Sequence, residues 1–339
     1  MSYNTVETNL KTSFSKRIQF YAIVLLCATM TFQACRKNSG DPTPPDDPSG
    51  LRVLGYLYSD NNWNADLQTD LSKLTDLNLA FVNPDENGSF NVNPDVTALI
   101  TRAHARHVRV FLSIGGGDPP PYLADLVSPG KRAALVTGIM DVVDHFGFDG
   151  VDVDLEGDFI NDDYPGVVSA LSSAVKAKQK LLTAALATWN ADLIHDSTLA
   201  QYDFINVMSY DATGPWDPAN PGPHSPYEMA EQDAHYFIHT RGVPAEKVLI
   251  GLPFYGYAFS GSTAEAMIYR DIVAQYAGAE NQDVIHAPGG VNIYYNGIPT
   301  VARKVKLAKS LGAAGVMIWE LNQDTDDGKS LLKAINDNK

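Results

Sequence analysis

Four carboxylates fall within eight consecutive positions, Asp149, Asp152, Asp154 and Glu156, in the stretch DGVDVDLEG that closes on Gly157. The acids alternate with Val151, Val153 and Leu155. A period of two is that of a β-strand, whose successive side chains point to opposite faces. Asp152, Asp154 and Glu156 therefore share one face, about 7 Å apart along the strand. Like charges at that spacing repel, and a merely solvated face gives no reason to gather them. A calcium loop needs a helix before it and a bidentate glutamate at its twelfth position. Here that position is Asp163, and FGFDG before the acids reads as a turn into a strand. Proton chemistry remains. Carboxyls this close cannot all ionise freely, so at least one holds its proton to a higher pH, as a general acid working near neutrality requires.

The elements that position this strand follow a repeated grammar. Short apolar runs occur at 52–59, 77–84, 108–116, 150–157, 181–188, 204–211, 247–256 and 314–321. Amphipathic stretches lie between them at 94–106, 130–145, 164–178, 226–240 and 300–311, with a last one at 327–337. Eight strand–helix units in roughly 250–300 residues predict a (β/α)8 barrel. An open doubly wound sheet would carry a glycine-rich phosphate turn after its first strand, and GYLYSDNN has none. In the barrel Val151, Val153 and Leu155 face the helices, and the acids face the interior. Glu156 reaches the C-terminal mouth, where such barrels keep their active sites, and Asp154 and Asp152 stack beneath it.

The folded domain is expected over 51–339. Ahead of it Lys11, Lys16 and Arg17 make a basic start, and FYAIVLLCATM (20–30) is an apolar run too short to span a bilayer comfortably. FQAC follows, ending at Cys35, and resembles a bacterial lipobox apart from Gln33. A signal peptide over 1–35, lipidation at Cys35 and a flexible tether over 36–50, rich in Pro, Asp, Ser and Gly, are the expectation. That places the domain on the bacterial cell envelope, held to an outer membrane and facing the periplasm or the surface. The formal charge of −15 argues against nucleic acid and anionic lipid as ligands and fits a neutral one. The two cysteines, Cys27 and Cys35, leave the domain no disulfide framework. The histidines show no metal spacing, and His104 and His107 read as solvated at a helix end. A monomer is expected.

DGVDVDLEG resembles the DxxDxDxE signature of family 18 glycoside hydrolases, the family of chitinases and endo-β-N-acetylglucosaminidases. SIGGG (113–117), NVMSYD (206–211), GLPFYG (251–256) and GVMIWEL (315–321) resemble the family's third, sixth, seventh and eighth strands, in that order. The resemblance covers essentially all of 51–339. It implies a retaining hydrolase that cuts β-1,4 bonds next to N-acetylglucosamine, in chitin oligomers or in an N-glycan core. A silent sugar-binding protein on the same fold is the rival from another class, and such relatives usually lack the acid that Glu156 supplies. No cofactor or metal is implied.

The resemblance further implies that Glu156 protonates the glycosidic oxygen. Asp154 orients the substrate's own N-acetyl group, whose carbonyl oxygen attacks in place of an enzyme nucleophile. Asp152 shares a proton with Asp154, Tyr210 hydrogen-bonds the attacking oxygen, and Asp149 is structural. Substrate-binding roles fall to Met208, Asp211 and Trp319, the last as the floor under the sugar, and to Tyr56, Phe81, Ser113, Gly116 and Tyr255. Phe81, Tyr56 and Tyr255 have plain core packing as their alternative. Trp216, in the loop ATGPWDP, is expected to be exposed at the mouth. The run of about 58 residues between FYG and GVM is shorter than the module many relatives insert there, so a short insertion between strands seven and eight and a shallow cleft are expected.

Overall fold

The computed structural model describes residues 50–59, 63 and 69–339. The basic and apolar segment 11–35, Cys35 and the tether up to residue 49 lie outside them. Seven parallel strands follow one another around a barrel: β1 (Arg52–Tyr58), β2 (Asp76–Ala80), β3 (Arg109–Gly116), β4 (Gly150–Leu155), β5 (Leu181–Leu186), β6 (Phe204–Val207) and β7 (Val248–Pro253). Then come β8 (Tyr255–Ser260), β9 (Thr263–Ile268), β10 (Val284–Ala287) and β11 (Val291–Tyr294), which form a separate antiparallel sheet in the order β10-β11-β8-β9. Finally β12 (Gly315–Trp319) enters between β7 and β1 and closes the barrel, with Ile318 opposite Gly55 and Trp319 opposite Pro253. The connections carry α1 (Val96–His104), α2 (Leu123–Leu126), α3 (Arg132–Phe146), α4 (Tyr164–Ala177), α5 (Asp196–Leu199) and α6 (Tyr227–His235). The insertion holds α7 (Tyr269–Gln275), and α8 (Ile298–Leu311) and α9 (Leu331–Asn338) flank β12.

The strands are apolar on both faces because both are buried. Outward side chains such as Val53, Leu77, Val110, Val151 and Val153 join one core with the inner faces of the helices. Inward side chains fill the barrel with a smaller core of Leu54, Tyr56, Phe111, Phe204, Leu249 and Met317. The alternation read in β4 is therefore the real one, with its valines outside and its acids inside. The turn into β4 is made by Gly147, whose left-handed φ of 80° caps α3 and lets Phe148 N reach back to Val143 O. Asp149 then fastens the bottom of the barrel, its Oδ2 accepting from Val110 N at 2.7 Å and lying 2.8 Å from His104 Nε2. His104 is thus tied to a carboxylate, where the sequence suggested a solvated residue: the last turn of α1 runs directly past the start of β4.

Several strands end earlier than their apolar runs suggest. Phe81, Glu156 and Glu320 each directly follow the last paired residue of their strand, and Asp211 lies four residues beyond β6. The run 247–256 is two elements, since the chain leaves the barrel at Phe254 and β8 starts in the other sheet. The insertion is short, as expected, and is a small α+β module. Helix 226–240 is α-helical only to His235 and widens into a π turn over Tyr236–Thr240.

Candidate active site

The site is built in layers from the barrel interior to its mouth. At the base lies Asp152, fully buried, whose oxygens accept four hydrogen bonds. Tyr56 Oη donates to Oδ2 at 2.6 Å and Ser113 Oγ at 2.8 Å. Thr183 Oγ1 donates to Oδ1 at 2.6 Å and Asn206 Nδ2 at 3.1 Å. Strand register places these donors, because Ser113 and Thr183 are the direct β3 and β5 partners of Asp152. Four donors fill the lone-pair sites of a carboxylate. Burial pushes this carboxyl above the usual range, and the donors pull it back.

One step up, Asp154 is 3% exposed. Burial, the neighbouring Glu156 and then Asp152 hold its carboxyl well above the usual carboxylate range. A side-chain hydrogen bond joins Asp154 to Glu156, and Asp154 Oδ1 is buried without a partner. Asp152 already accepts from four donors, and Asp154 and Glu156 form a second pair of neighbouring carboxyls above it. Glu156 at the mouth is itself raised, first by burial and also by the charge of Asp211, while the Asp154 hydrogen bond works the other way.

Aromatic rings wall the opening. Trp319 stacks on Phe81 at 5.7 Å and lies 5.4 Å from Tyr56 and 6.1 Å from Tyr58. Phe81 is half-buried and is a wall of the site. Gly116, with φ 99°, makes room for it: a Cβ there would meet the Phe81 ring at 2.6 Å. Tyr210 lies edge-on to Tyr255, its hydroxyl 3.9 Å from Met317 Sδ, and Met208 packs against the interior core. Tyr56 and Ser113, expected to line the open pocket, are a layer too deep: both are buried and end on Asp152, so they position a carboxylate.

The loop after β6 supplies the other side. Asp211, in a left-handed conformation with φ 65°, accepts at Oδ1 from Tyr255 Oη at 2.6 Å and Tyr257 Oη at 3.0 Å. His224 Nδ1 lies 3.3 Å from the same oxygen. Trp216 is 60% exposed, edge-on to Tyr257 at 5.8 Å. Glu320, the remaining acid at a strand end, is turned inward to cap the turn Leu321–Gln323, accepting from Asn322 N at 3.1 Å.

Several residues of this site were not singled out from the sequence. Thr183 and Asn206 were visible as polar side chains at inward positions of apolar strands. Tyr257 and Phe259 repeat the period-two pattern begun by Tyr255 and share its face of the inserted sheet. Tyr58, the last residue of β1, is 47% exposed and lies beside Trp319, and an exposed aromatic at the end of a barrel strand was the signal.

The model of glycosyl hydrolases family 18 matches residues 52–324 of the chain. The GH18 chitinase ChiB of Flavobacterium johnsoniae is 34% identical, covering 85% of this chain and 93% of that one, with a TM-score of 0.76. A chitinase structure from Bacteroides thetaiotaomicron is 26% identical over 84% of this chain and 95% of that one, with a TM-score of 0.70. Human chitinase-3-like protein 2 is 27% identical over 66% of this chain and 71% of its own length. An acid pair at the mouth of a (β/α)8 barrel, a match to the family model along nearly the whole barrel, and a crystallised relative covered almost end to end lead to one assignment: the chain belongs to family 18 of the glycoside hydrolases.

Proposed function

We propose that the protein is a retaining hydrolase of chitin oligosaccharides that uses the substrate's N-acetyl group as nucleophile. The observation that carries this reading is the pair of neighbouring buried carboxyls at the mouth, Asp154 and Glu156, both held above the usual carboxylate range. Glu156 gives a proton to the glycosidic oxygen as the bond to the anomeric carbon breaks. The N-acetyl carbonyl oxygen closes on that carbon from the opposite face, and Asp154 turns to the N–H as positive charge builds there. Tyr210 donates to the attacking oxygen. Water then opens the ring intermediate, returning its proton to Glu156, so the β-configuration is retained. The other carboxylates support this route by being engaged elsewhere: Asp211 carries three partners and Glu320 caps a turn.

Chitin is favoured over an N-glycan core by the similarity to chitinases of Flavobacterium johnsoniae and Bacteroides thetaiotaomicron and by the aromatic walls of the cleft, whose faces suit sugar stacking. The test is release of reducing ends from chitin oligomers and from a high-mannose glycoprotein, for the intact protein and for Glu156→Gln. Cleavage of the oligomers alone, abolished in the variant, is expected. Cleavage of the glycoprotein alone would make the protein an endo-β-N-acetylglucosaminidase, and binding without cleavage would make it a lectin. We also propose that Cys35 carries the lipid that holds this domain to the cell envelope, on the strength of FQAC and the tether after it.

A further inference from the structure

Lys304, on α8, has no part in the chemistry above and is completely buried. A buried ammonium group ordinarily ends on a carboxylate. This one ends on neutral acceptors. Nζ donates to Ser225 O at 2.8 Å, Ser225 Oγ at 2.7 Å and Asn296 Oδ1 at 2.8 Å, which uses all three of its protons. Its countercharge comes from farther off, from Asp283, Asp233 and Glu228, which oppose the fall in pKa that burial imposes.

The two residues it grips belong to different parts of the site. Asn296 follows the last strand of the inserted sheet, and its Nδ2 donates to Ser225 O at 2.9 Å. Ser225 closes the long loop after β6, and its Oγ donates to Ser209 O at 2.6 Å, so the loop is fastened at its base. Next to Ser225, His224 O accepts from Ala212 N at 2.9 Å, and the His224 ring lies between Asp211 and the carbonyl of Tyr255. Asp211 and Trp216 stand within the loop so held.

We propose that Lys304 is a positioning residue for the active site: by gripping Ser225 and Asn296 together it fixes the loop 211–225 against the inserted sheet, and with it the places of Asp211 and Trp216 at the cleft. The assignment rests on the reading of that cleft as the sugar site. A methionine at 304 keeps the volume and removes three hydrogen bonds, leaving Ser225 O only its bond from Asn296 Nδ2 and Asn296 Oδ1 without its donor, which loosens the loop at its base.

The experiment uses the full chain, with Lys304→Met as the principal variant and Ser225→Ala, which keeps the lysine, as the second. Turnover of a chitin tetramer by the wild type tests the functional reading on its own. With that established, the variants are expected to raise KM about tenfold while kcat changes less than about threefold. Lys304→Met should weaken binding less in a Trp216→Ala background than in the wild type. A second readout needs no turnover: the fluorescence anisotropy due to Trp216, taken as the difference from Trp216→Phe, should fall in both variants. If Lys304→Met does not fold, Ser225→Ala alone decides by the same criteria. Unchanged KM and unchanged Trp216 anisotropy, or equal losses in kcat and in folded protein with KM intact, would overturn the proposal.

Discussion

Glu156 and Asp154 are neighbouring carboxyls, and burial holds both above the usual carboxylate range. General acid catalysis is usually worth about 10²–10⁴-fold, so Glu156→Gln, which keeps the shape and loses the acid, should cut turnover at least a hundredfold while oligosaccharide binding survives. Retention of more than about a tenth of the wild-type rate would remove Glu156 from its role. The charge of Asp211 helps to raise the Glu156 carboxyl. Replacing it with a neutral amide takes away a repulsion against the ionised form, so Asp211→Asn should lower the pH at which the acid is lost. The alkaline limb of the kcat/KM profile is expected to move to lower pH, and a limb that stays put or moves up would refute the coupling.

At the scale of elements, the site depends on strands that end where their side chains are needed. Phe81 can stack on Trp319 because Gly116, at the end of β3, presents no side chain. Gly116→Ala would place a methyl group 2.6 Å from the Phe81 ring and a non-glycine residue at φ 99°. Backbone strain of that kind costs about 1–3 kcal/mol. The variant should melt a few degrees lower and show a raised KM as Phe81 is pushed off Trp319. Melting and kinetics that both match the wild type would show that the wall has slack. The inserted sheet works in the same way, since its aromatic face holds Asp211 through Tyr255 and Tyr257.

For the whole molecule, burial leaves a trace in stability. Lys304 has its pKa lowered to about 7, below the value near 10.4 that an unfolded chain gives it. A depressed folded value means that the unfolded chain binds the extra proton between these limits. Its contribution to stability is therefore full above about pH 10, and it is lost as pH falls through about 7. Urea unfolding between pH 6 and 9 should show wild-type stability rising with pH relative to Lys304→Met, and parallel curves would contradict this. The leader makes a separate prediction: Cys35→Ser should release the protein from the membrane fraction or block its maturation, and a mature N-terminus elsewhere would exclude lipidation at Cys35.

The sequence by itself determined the barrel and the catalytic strand, because both are written in short-range patterns. Period-two alternation in β4 sorted its acids from its valines, and eight apolar runs of similar spacing admitted few other topologies. It also marked Trp216, since proline and glycine around a tryptophan leave it nowhere to pack. Tertiary structure alone decided what each acid meets. Asp152 is taken by donors from β1, β3, β5 and β6, which meet only when the barrel closes and its register is set. The same holds for Asp211, whose tyrosine partners sit more than forty positions away on the inserted sheet, and for Lys304, whose acceptors come from two separate loops. Alternation along a strand reports which way a side chain points, and pairing between distant segments reports what it meets there.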